Sequence, residues 1–343
     1  MEVLAEREKR VLELIMDNYI MAAEPIGSQT IAKTIKNKLS SATIRNVMAD
    51  LEEQGFLYKP HVVAGRIPTH KAFRYYVKSL IVLKGPGKKT LEVLGALLKP
   101  HYSYVEEIME DASRALAALS KFTSIVVEPK VNTMLFKEIE FVRLSRSTIL
   151  IVFVTSSGMV HTRLVDTDDD LDLEALSSMK RYMNEKFGGM PFYALKEGIL
   201  EDMEEDKENY NKLFAKIKDT LKTIIDEEDT REIYIEGTSK MIGVPEFSDI
   251  DRLKELFQAL ERKEKLLRLL DKCLKEEGIH VIMGAESDIR EMRDMSIITS
   301  TYKIGERSYG VLGVIGPIRM NYSRIIPIVN YTATTVTNIL KMM

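Results

Sequence analysis

Cysteine is nearly absent from this sequence, because Cys273 is the only one among 343 residues. A single thiol cannot form an intrachain disulfide or supply a cysteine-based metal site. Long apolar segments are also missing, and no run reaches the roughly 18 residues that a membrane-spanning helix needs. The opening residues, MEVLAEREKR, are charged and lack the apolar core of a secretion signal. We therefore expect a cytoplasmic protein with no membrane segment.

Catalytic and metal-binding motifs are missing as well. The five histidines lie far apart, and none has the HxxxH or HExxH spacing of a metal site. The segment GPGKKT resembles the end of a phosphate loop, but the position of the required first glycine holds Val82. No nucleophile and base stand at a recognisable catalytic spacing. We expect no metal, no cofactor and no enzymatic activity.

The formal net charge of −3 hides an uneven distribution of charge. Between residues 33 and 84, ten lysines and arginines stand against three acids, so this segment carries +7. Between residues 201 and 230, eleven acids outnumber five lysines, which gives −6. A basic N-terminal segment on an acidic remainder indicates a polyanionic partner for the first part alone. Two solvated faces of opposite charge are the alternative interpretation.

The N-terminal part predicts three short helices, a β-hairpin and a fourth helix. Apolar spacing places the helices at about 3–21, 29–37, 41–54 and 70–83. The third helix has an apolar stripe made of Ile44, Val47, Met48 and Leu51. Ser40 or Ser41 is expected to cap its start, and Gly55 to end it. With two short strands predicted in FLYKPHVVAGRIPT, this order is typical of a winged helix-turn-helix.

The face of the third helix opposite its apolar stripe has the side chains that read DNA. Arg45 can donate two hydrogen bonds to guanine, Asn46 can pair with adenine, and Thr43 can support them. Serine hydroxyls and cations of the hairpin and fourth helix are expected mostly to hold phosphates. The predicted DNA-binding residues are Ser28, Ser40, Ser41, Thr43, Arg45, Asn46, Lys59, His61, Arg66, Lys71 and Arg74. A three-helix module that binds another protein is the alternative.

The rest of the chain predicts mixed α+β structure. The segment KGPGKK has the composition of a linker, and two helices are expected at about 88–98 and 102–120. An antiparallel meander follows between about 137 and 166, and acidic helices are expected at 171–187 and 207–226. Further strands include GVLGVIG, whose apolar alternation favours a strand over a dinucleotide loop. The last helix is expected at about 321–341. The acidic middle segment is interpreted as a unit inserted into the second domain.

Three segments resemble a known family. They are EPIGS, SSATIRNVMADLEEQGFLYKPHVVAGRIPTHKAFRYYV and, far downstream, YGVLGVIGPIRMNYSRIIPIV. They are similar to the heat-inducible transcription repressor HrcA family. The chain departs from the family pattern at Val62 and Val63, where small hydroxyl residues are usual, and at Ala72-Phe73. The first departure argues against a serine or threonine phosphate contact at the wing and leaves the third helix unaffected.

The resemblance implies a homodimeric repressor of chaperone operons that binds an inverted-repeat operator in double-stranded DNA and whose active state the GroEL chaperonin favours. It also implies an α+β multidomain fold. Its parts would be a winged helix-turn-helix DNA-binding domain at 1–84, a GAF-like domain at 88–135 and 230–343, and an inserted dimerising domain at 136–229.

GAF-like domains often hold small molecules, so the resemblance raises the question of a ligand. Residues 283–287 and 316–320 are the segments that could line a pocket, although packing and turn roles are the more ordinary interpretation. A buried Arg319 would need a carboxylate partner, such as Glu286. A winged helix regulator gated by a ligand in the GAF-like domain therefore stands beside the repressor, together with the protein-interaction module.

Overall fold

A computed structural model shows a mixed α+β protein. It describes residues 4–35, 39–61, 65–80, 85–99, 102, 104–129, 134–156, 158–166, 173–192, 194, 231–304 and 308–342. The predicted acidic helix at 207–226 lies outside these residues, as does the tip of the predicted hairpin at 62–64. Among the described residues, no helix combines the length and apolar character needed to cross a membrane.

The N-terminal unit, defined here as residues 4–80, has the predicted order of elements. They are α1 (Glu6–Ala22), α2 (Ser28–Thr34), α3 (Ser41–Glu53), β1 (Leu57–Tyr58), β2 (Ile67–Pro68) and α4 (His70–Leu80). β1 and β2 pair antiparallel. All four residues of the predicted stripe on α3 are buried, and they belong to the same apolar cluster as Ile15 and Phe56. The second helix ends at Thr34, before the predicted limit, and the predicted last turn of the fourth helix at 81–83 lies outside the described residues.

The ends of α3 follow from its sequence. The hydroxyl of Ser40 accepts a hydrogen bond of 3.0 Å from the backbone N–H of Thr43, so Ser40 is the N-cap. At the other end Gly55 has a φ of 75°, and the N–H of Phe56 donates to the carbonyl of Leu51 at 2.8 Å. This is the arrangement that lets glycine end a helix. The predicted cap and stop are both confirmed.

A five-stranded antiparallel sheet forms the centre of the C-terminal part. Its strands are β3 (Thr123–Val127), β7 (Ile233–Glu236), β8 (Ile279–Met283), β9 (Met295–Ile304) and β10 (Ser308–Pro317), in the order β7-β3-β10-β9-β8. GVLGVIG lies within β10, as predicted. Gly313 permits close strand packing there, because a Cβ would lie 2.3 Å from the carbonyl oxygen of Ile298.

Helices cover both faces of this sheet. Four further helices precede or pack on it: α5 (Lys88–Leu97), α6 (Val105–Ser120), α8 (Ile250–Glu261) and α9 (Lys263–Asp271), and the last is α10 (Tyr322–Leu340). Val126 joins the apolar cluster that contains α6, α10 and the N-terminal unit. Its neighbours Ile125 and Val127 join the cluster that contains α8 and α9. Side chains of one strand thus enter two cores alternately, as strand geometry requires.

A second, three-stranded sheet lies in the sequence between β3 and β7. Its strands β4 (Phe136–Arg143), β5 (Thr148–Thr155) and β6 (Val160–Asp166) form the predicted meander, and α7 (Leu173–Phe187) follows. Ile139, Ile151 and Phe153 are buried with apolar residues of α7. Because β3 and β7 pair directly, this sheet is an excursion between two neighbouring strands of the larger sheet.

Candidate nucleic-acid interface

The first turns of α3 present polar side chains to solvent. Arg45 and Asn46 are exposed, while Ile44 and Val47 beside them are buried. The hydroxyls of Ser40 and Thr43 lie 2.8 Å apart and share a hydrogen bond. The helix therefore presents a guanidinium and a carboxamide on neighbouring residues of its capped first turns. Both groups can form hydrogen bonds with base edges in a major groove.

A groove of about 520 Å³ joins this face to α2 and the hairpin. Four of the predicted DNA-binding residues line it: Ser28, Arg45, Lys59 and Arg66. The hydroxyls of Ser28 and Ser41 are 2.9 Å apart and connect the first turns of α2 and α3. Gln29 and Thr30 also line the groove and were missed by the sequence reasoning. Their position in the first turn of α2, directly after Ser28, could have indicated that they belong to the same surface.

Arg66, directly before β2, connects the hairpin to α3 and to the segment before α2. Its guanidinium is 2.7 Å from the carboxylate of Glu52 on α3, and its side chain is 19% exposed. Its backbone exchanges two hydrogen bonds with Ile26, at 2.9 and 2.8 Å. Gly65 is required beside it, since a Cβ there would lie 2.4 Å from the carbonyl oxygen of Ile26. The segment before α2 is thereby fastened to the start of β2.

Lys71 lies at the far end of α3 from Arg45. Its ammonium donates to the carbonyl of Gln54 at 2.8 Å and stands 4.5 Å from the centre of the Phe56 ring. The hydroxyl of Thr69 donates to the carbonyl of Gly55 at 2.8 Å. These contacts satisfy carbonyl groups at the end of α3 and place a cation there, where a helix terminus favours it. Lys71 is thus bound at the end of α3, and its phosphate contact stays a prediction.

Arg74 points away from the groove and toward the C-terminal part. Its guanidinium forms an ion pair with Glu286 and donates to the carbonyl of Val281 at 3.2 Å. The sequence suggested Glu286 as the partner of Arg319, and that suggestion is wrong. Arg319 pairs with Glu246, because the turn at Pro245–Phe247 brings this carboxylate to it. His61 and Lys59 are exposed at the hairpin.

The segments considered as a ligand pocket have packing roles. A Cβ on Gly284 would lie 1.7 Å from the carbonyl oxygen of Met292, and one on Gly316 would lie 2.7 Å from the sulfur of Met320. Ile318 and Arg319 do line a cleft of about 440 Å³, to which the N-terminal unit contributes Tyr19 and Phe73. Among the described residues no group of histidine, cysteine or carboxylate side chains has the arrangement of a metal site.

Comparison with known proteins identifies relatives along almost the whole chain. The family of the HrcA protein C-terminal domain matches residues 106–326. The heat-inducible transcription repressor HrcA of Geobacter sulfurreducens is 41% identical, with 98% of each chain covered. The proteins of the same name from Syntrophobacter fumaroxidans and Brevibacillus brevis are 38% and 31% identical, over 99% and 96% of both chains.

Similarity of fold extends to a solved structure. A crystal structure of a hypothetical protein matches at a TM-score of 0.61, with 20% sequence identity and 99% of each chain covered. At that identity the match supports the fold alone. The sequence relatives exceed 30% identity over nearly their full length, and the matched C-terminal domain spans most of the chain. The chain therefore belongs to the HrcA family of heat-inducible transcription repressors.

Proposed function

We propose that this chain represses heat-shock operons by binding an inverted-repeat operator in double-stranded DNA as a homodimer. The N-terminal unit acts as a winged helix-turn-helix domain over 1–84. The observation that carries this proposal is the exposed pair Arg45 and Asn46 on the capped first turns of α3, beside a groove with two further cations.

In this proposal α3 enters the major groove. Arg45 donates to the O6 and N7 atoms of guanine, Asn46 pairs with adenine, and Thr43 offers its methyl group to thymine. Lys59 and His61 lie beside the DNA backbone, and the hydroxyls of Ser28, Ser40 and Ser41 accompany the phosphates. Arg66 joins them while it keeps its contact with Glu52. Gln29 and Thr30 extend this surface along α2.

The middle sheet, within 136–229, is proposed as the inserted dimerising domain of a GAF-like core formed by 88–135 and 230–343. α7 covers one face of this sheet, while apolar side chains remain exposed elsewhere on it: Val142, Val160 and Leu164. Apolar residues clustered on a sheet are suited to a partner surface. A two-fold axis would place the two copies of α3 one or more DNA turns apart, about 34 Å per turn.

GroEL is proposed as a further partner on the strength of the family resemblance. If the chaperonin favours the DNA-competent state, its addition should increase the fraction of chain bound to operator at a fixed chain concentration. An unchanged fraction would remove GroEL from the proposal and leave the DNA-binding role intact.

The test of the proposal compares two arginine variants. Arg45→Ala should weaken operator binding by about 1–3 kcal/mol and relax the preference for one base. Arg10→Ala is the matched control, because Arg10 lies on α1, is 70% exposed and pairs with Glu13. It should bind operator as the parent chain does. Fluorescence anisotropy with operator and point-substituted duplexes measures both effects. Normal binding by Arg45→Ala would refute the placement of α3.

A further inference from the structure

The N-terminal unit packs on the C-terminal part through an apolar centre. The ring of Phe73, on α4, lies 6.4 Å from the ring of Tyr322, on α10, and 6.2 Å from that of Tyr19, on α1. Phe73 is 2% exposed and Tyr322 is fully buried. This centre holds the two parts together but does little to fix their rotation, because apolar attraction is non-directional.

Arg74 makes a directional contact at one side of this centre. It extends from α4 to Glu286, in the turn after β8, and also donates to the carbonyl of Val281 within β8. The two acceptors belong to neighbouring segments of the C-terminal part. A guanidinium that binds two acceptors in its plane fixes direction as well as distance.

Arg319, in the C-terminal part, makes a second directional contact with the N-terminal unit, to the carbonyl of Ile20 on α1. The carboxylate of Glu246, also in the C-terminal part, holds its guanidinium. One of its nitrogens donates to Glu246 at 3.1 Å, and another lies 3.4 Å from the carbonyl oxygen of Ile20. Arg319 and Glu246 are 17% and 23% exposed, so water screens this pair only partly. The last turn of α1 has no basic residue of its own. Arg319 supplies from 299 residues away the cation that a helix C-terminus favours.

We propose that Arg74 and Arg319 are positioning residues for operator recognition: they lock the orientation of the N-terminal unit on the five-stranded sheet and so set the half-site spacing that the dimer accepts. This inference rests on the proposed function. Two directional contacts on separate helices, α4 and α1, remove the rotation about the apolar centre that either one alone would leave.

A competing assignment makes Arg74 a phosphate contact. The two assignments predict opposite results when the carboxylate partner is neutralised. Glu286→Gln removes the partner and leaves the guanidinium in place. A phosphate-binding Arg74 would then bind all duplexes more tightly, since one acid fewer opposes the DNA. A positioning Arg74 would leave affinity for a single half-site unchanged and lose discrimination between spacings.

The experiment uses full-length chain with Glu286→Gln and Glu246→Gln combined. Duplexes carry two half-sites at the operator spacing or at spacings lengthened and shortened by a few base pairs. For each chain, the dissociation constant at an altered spacing is divided by that at the operator spacing. This ratio should be about fivefold smaller in the double variant than in the parent chain, at the lower end of the usual coupling between sites. Single half-site affinity and the salt slope should stay as in the parent chain. The control is Asp288→Asn, which removes one nearby charge that pairs with Lys272 instead.

The outcomes separate the two proposals. The positioning role is overturned if the ratio of dissociation constants between spacings is unchanged, or if affinity increases equally for all duplexes. Either result leaves the repressor function standing. If the parent chain binds no duplex even with GroEL present, the proposed function is refuted. The orientation of the N-terminal unit on the five-stranded sheet is then tested without DNA. Spin labels at Lys33→Cys and Lys254→Cys report the separation of α2 from α8. The distribution should broaden in the double variant, and identical distributions would overturn the lock.

Discussion

Three arginines near the proposed DNA-binding face have different surroundings. Arg45 is exposed on α3, Arg66 pairs with Glu52 beneath the hairpin, and Arg74 pairs with Glu286 on the C-terminal part. A guanidinium already held by a carboxylate has less to gain from a phosphate, because the existing partner must be displaced. The three side chains share one chemistry, and their neighbours give them different roles.

Two lysines of the N-terminal unit allow the same distinction to be tested. Lys59→Ala should weaken binding to every duplex alike and reduce the salt slope by about one, as loss of a phosphate contact does. Lys71→Ala should instead lower the free energy of unfolding by roughly 0.5–1 kcal/mol, since it removes the contact with the Phe56 ring. Salt titrations of DNA binding measure the salt slope of both variants, and urea unfolding measures their free energies of unfolding. A reduced salt slope for Lys71→Ala would restore its phosphate role.

The carboxyl of Glu128 predicts a pH dependence of stability. It is 5% exposed, and burial raises its pKa above the ordinary value of 4.5, although Tyr234 and the N–H of Glu232 donate to it. The folded state therefore holds the proton more tightly than the unfolded chain. Its contribution to stability is complete below pH 4.5 and is lost as the pH rises through the raised pKa.

Glu128→Gln cannot ionise and isolates this effect. From pH 4.5 upward, the free energy of unfolding of the parent chain should decrease relative to that of the variant. Urea unfolding at a series of pH values measures the difference. A difference that stays constant across the series would show that the carboxyl does not titrate with a raised pKa.

At the scale of elements, the hairpin depends on one glycine. Gly65→Ala would place a Cβ 2.4 Å from the carbonyl oxygen of Ile26, and this neighbour is backbone that cannot rotate aside as a flexible side chain can. We expect a loss of about 1–3 kcal/mol in unfolding free energy, as for other overpacked sites. Gly27→Ala is the control, because nothing lies within 4 Å of its Cβ position. Equal stability of the two variants would contradict this account of the hairpin.

Local patterns explain why so many elements could be predicted. The apolar stripe of α3, the cap at Ser40 and the alternation in β10 depend on residues within one helix or strand. The contacts of Arg74 and Arg319 join segments about 200 or 300 residues apart, as their hydrogen bonds to Val281 and Ile20 show. No short-range pattern encodes such pairs, so Arg319 was assigned the wrong carboxylate.

At the scale of the whole molecule, the account requires two copies of the chain. Leu164, on β6, is 65% exposed on the middle sheet. Leu164→Asp should convert a dimer into monomers, because a carboxylate cannot be buried unpaired in an apolar contact. Light scattering after size-exclusion chromatography measures the mass. Ile242→Asp is the control, since Ile242 is 63% exposed outside that sheet and its replacement should preserve the dimer.

The central claim is that the N-terminal unit reads bases as part of a repressor. Its most direct test is a titration of the full chain against a duplex bearing the family's inverted repeat and against a scrambled duplex, at two salt concentrations. The account predicts tight binding to the inverted repeat and weak, strongly salt-dependent binding to the scrambled sequence. Equal binding to both duplexes at both salt concentrations would contradict it.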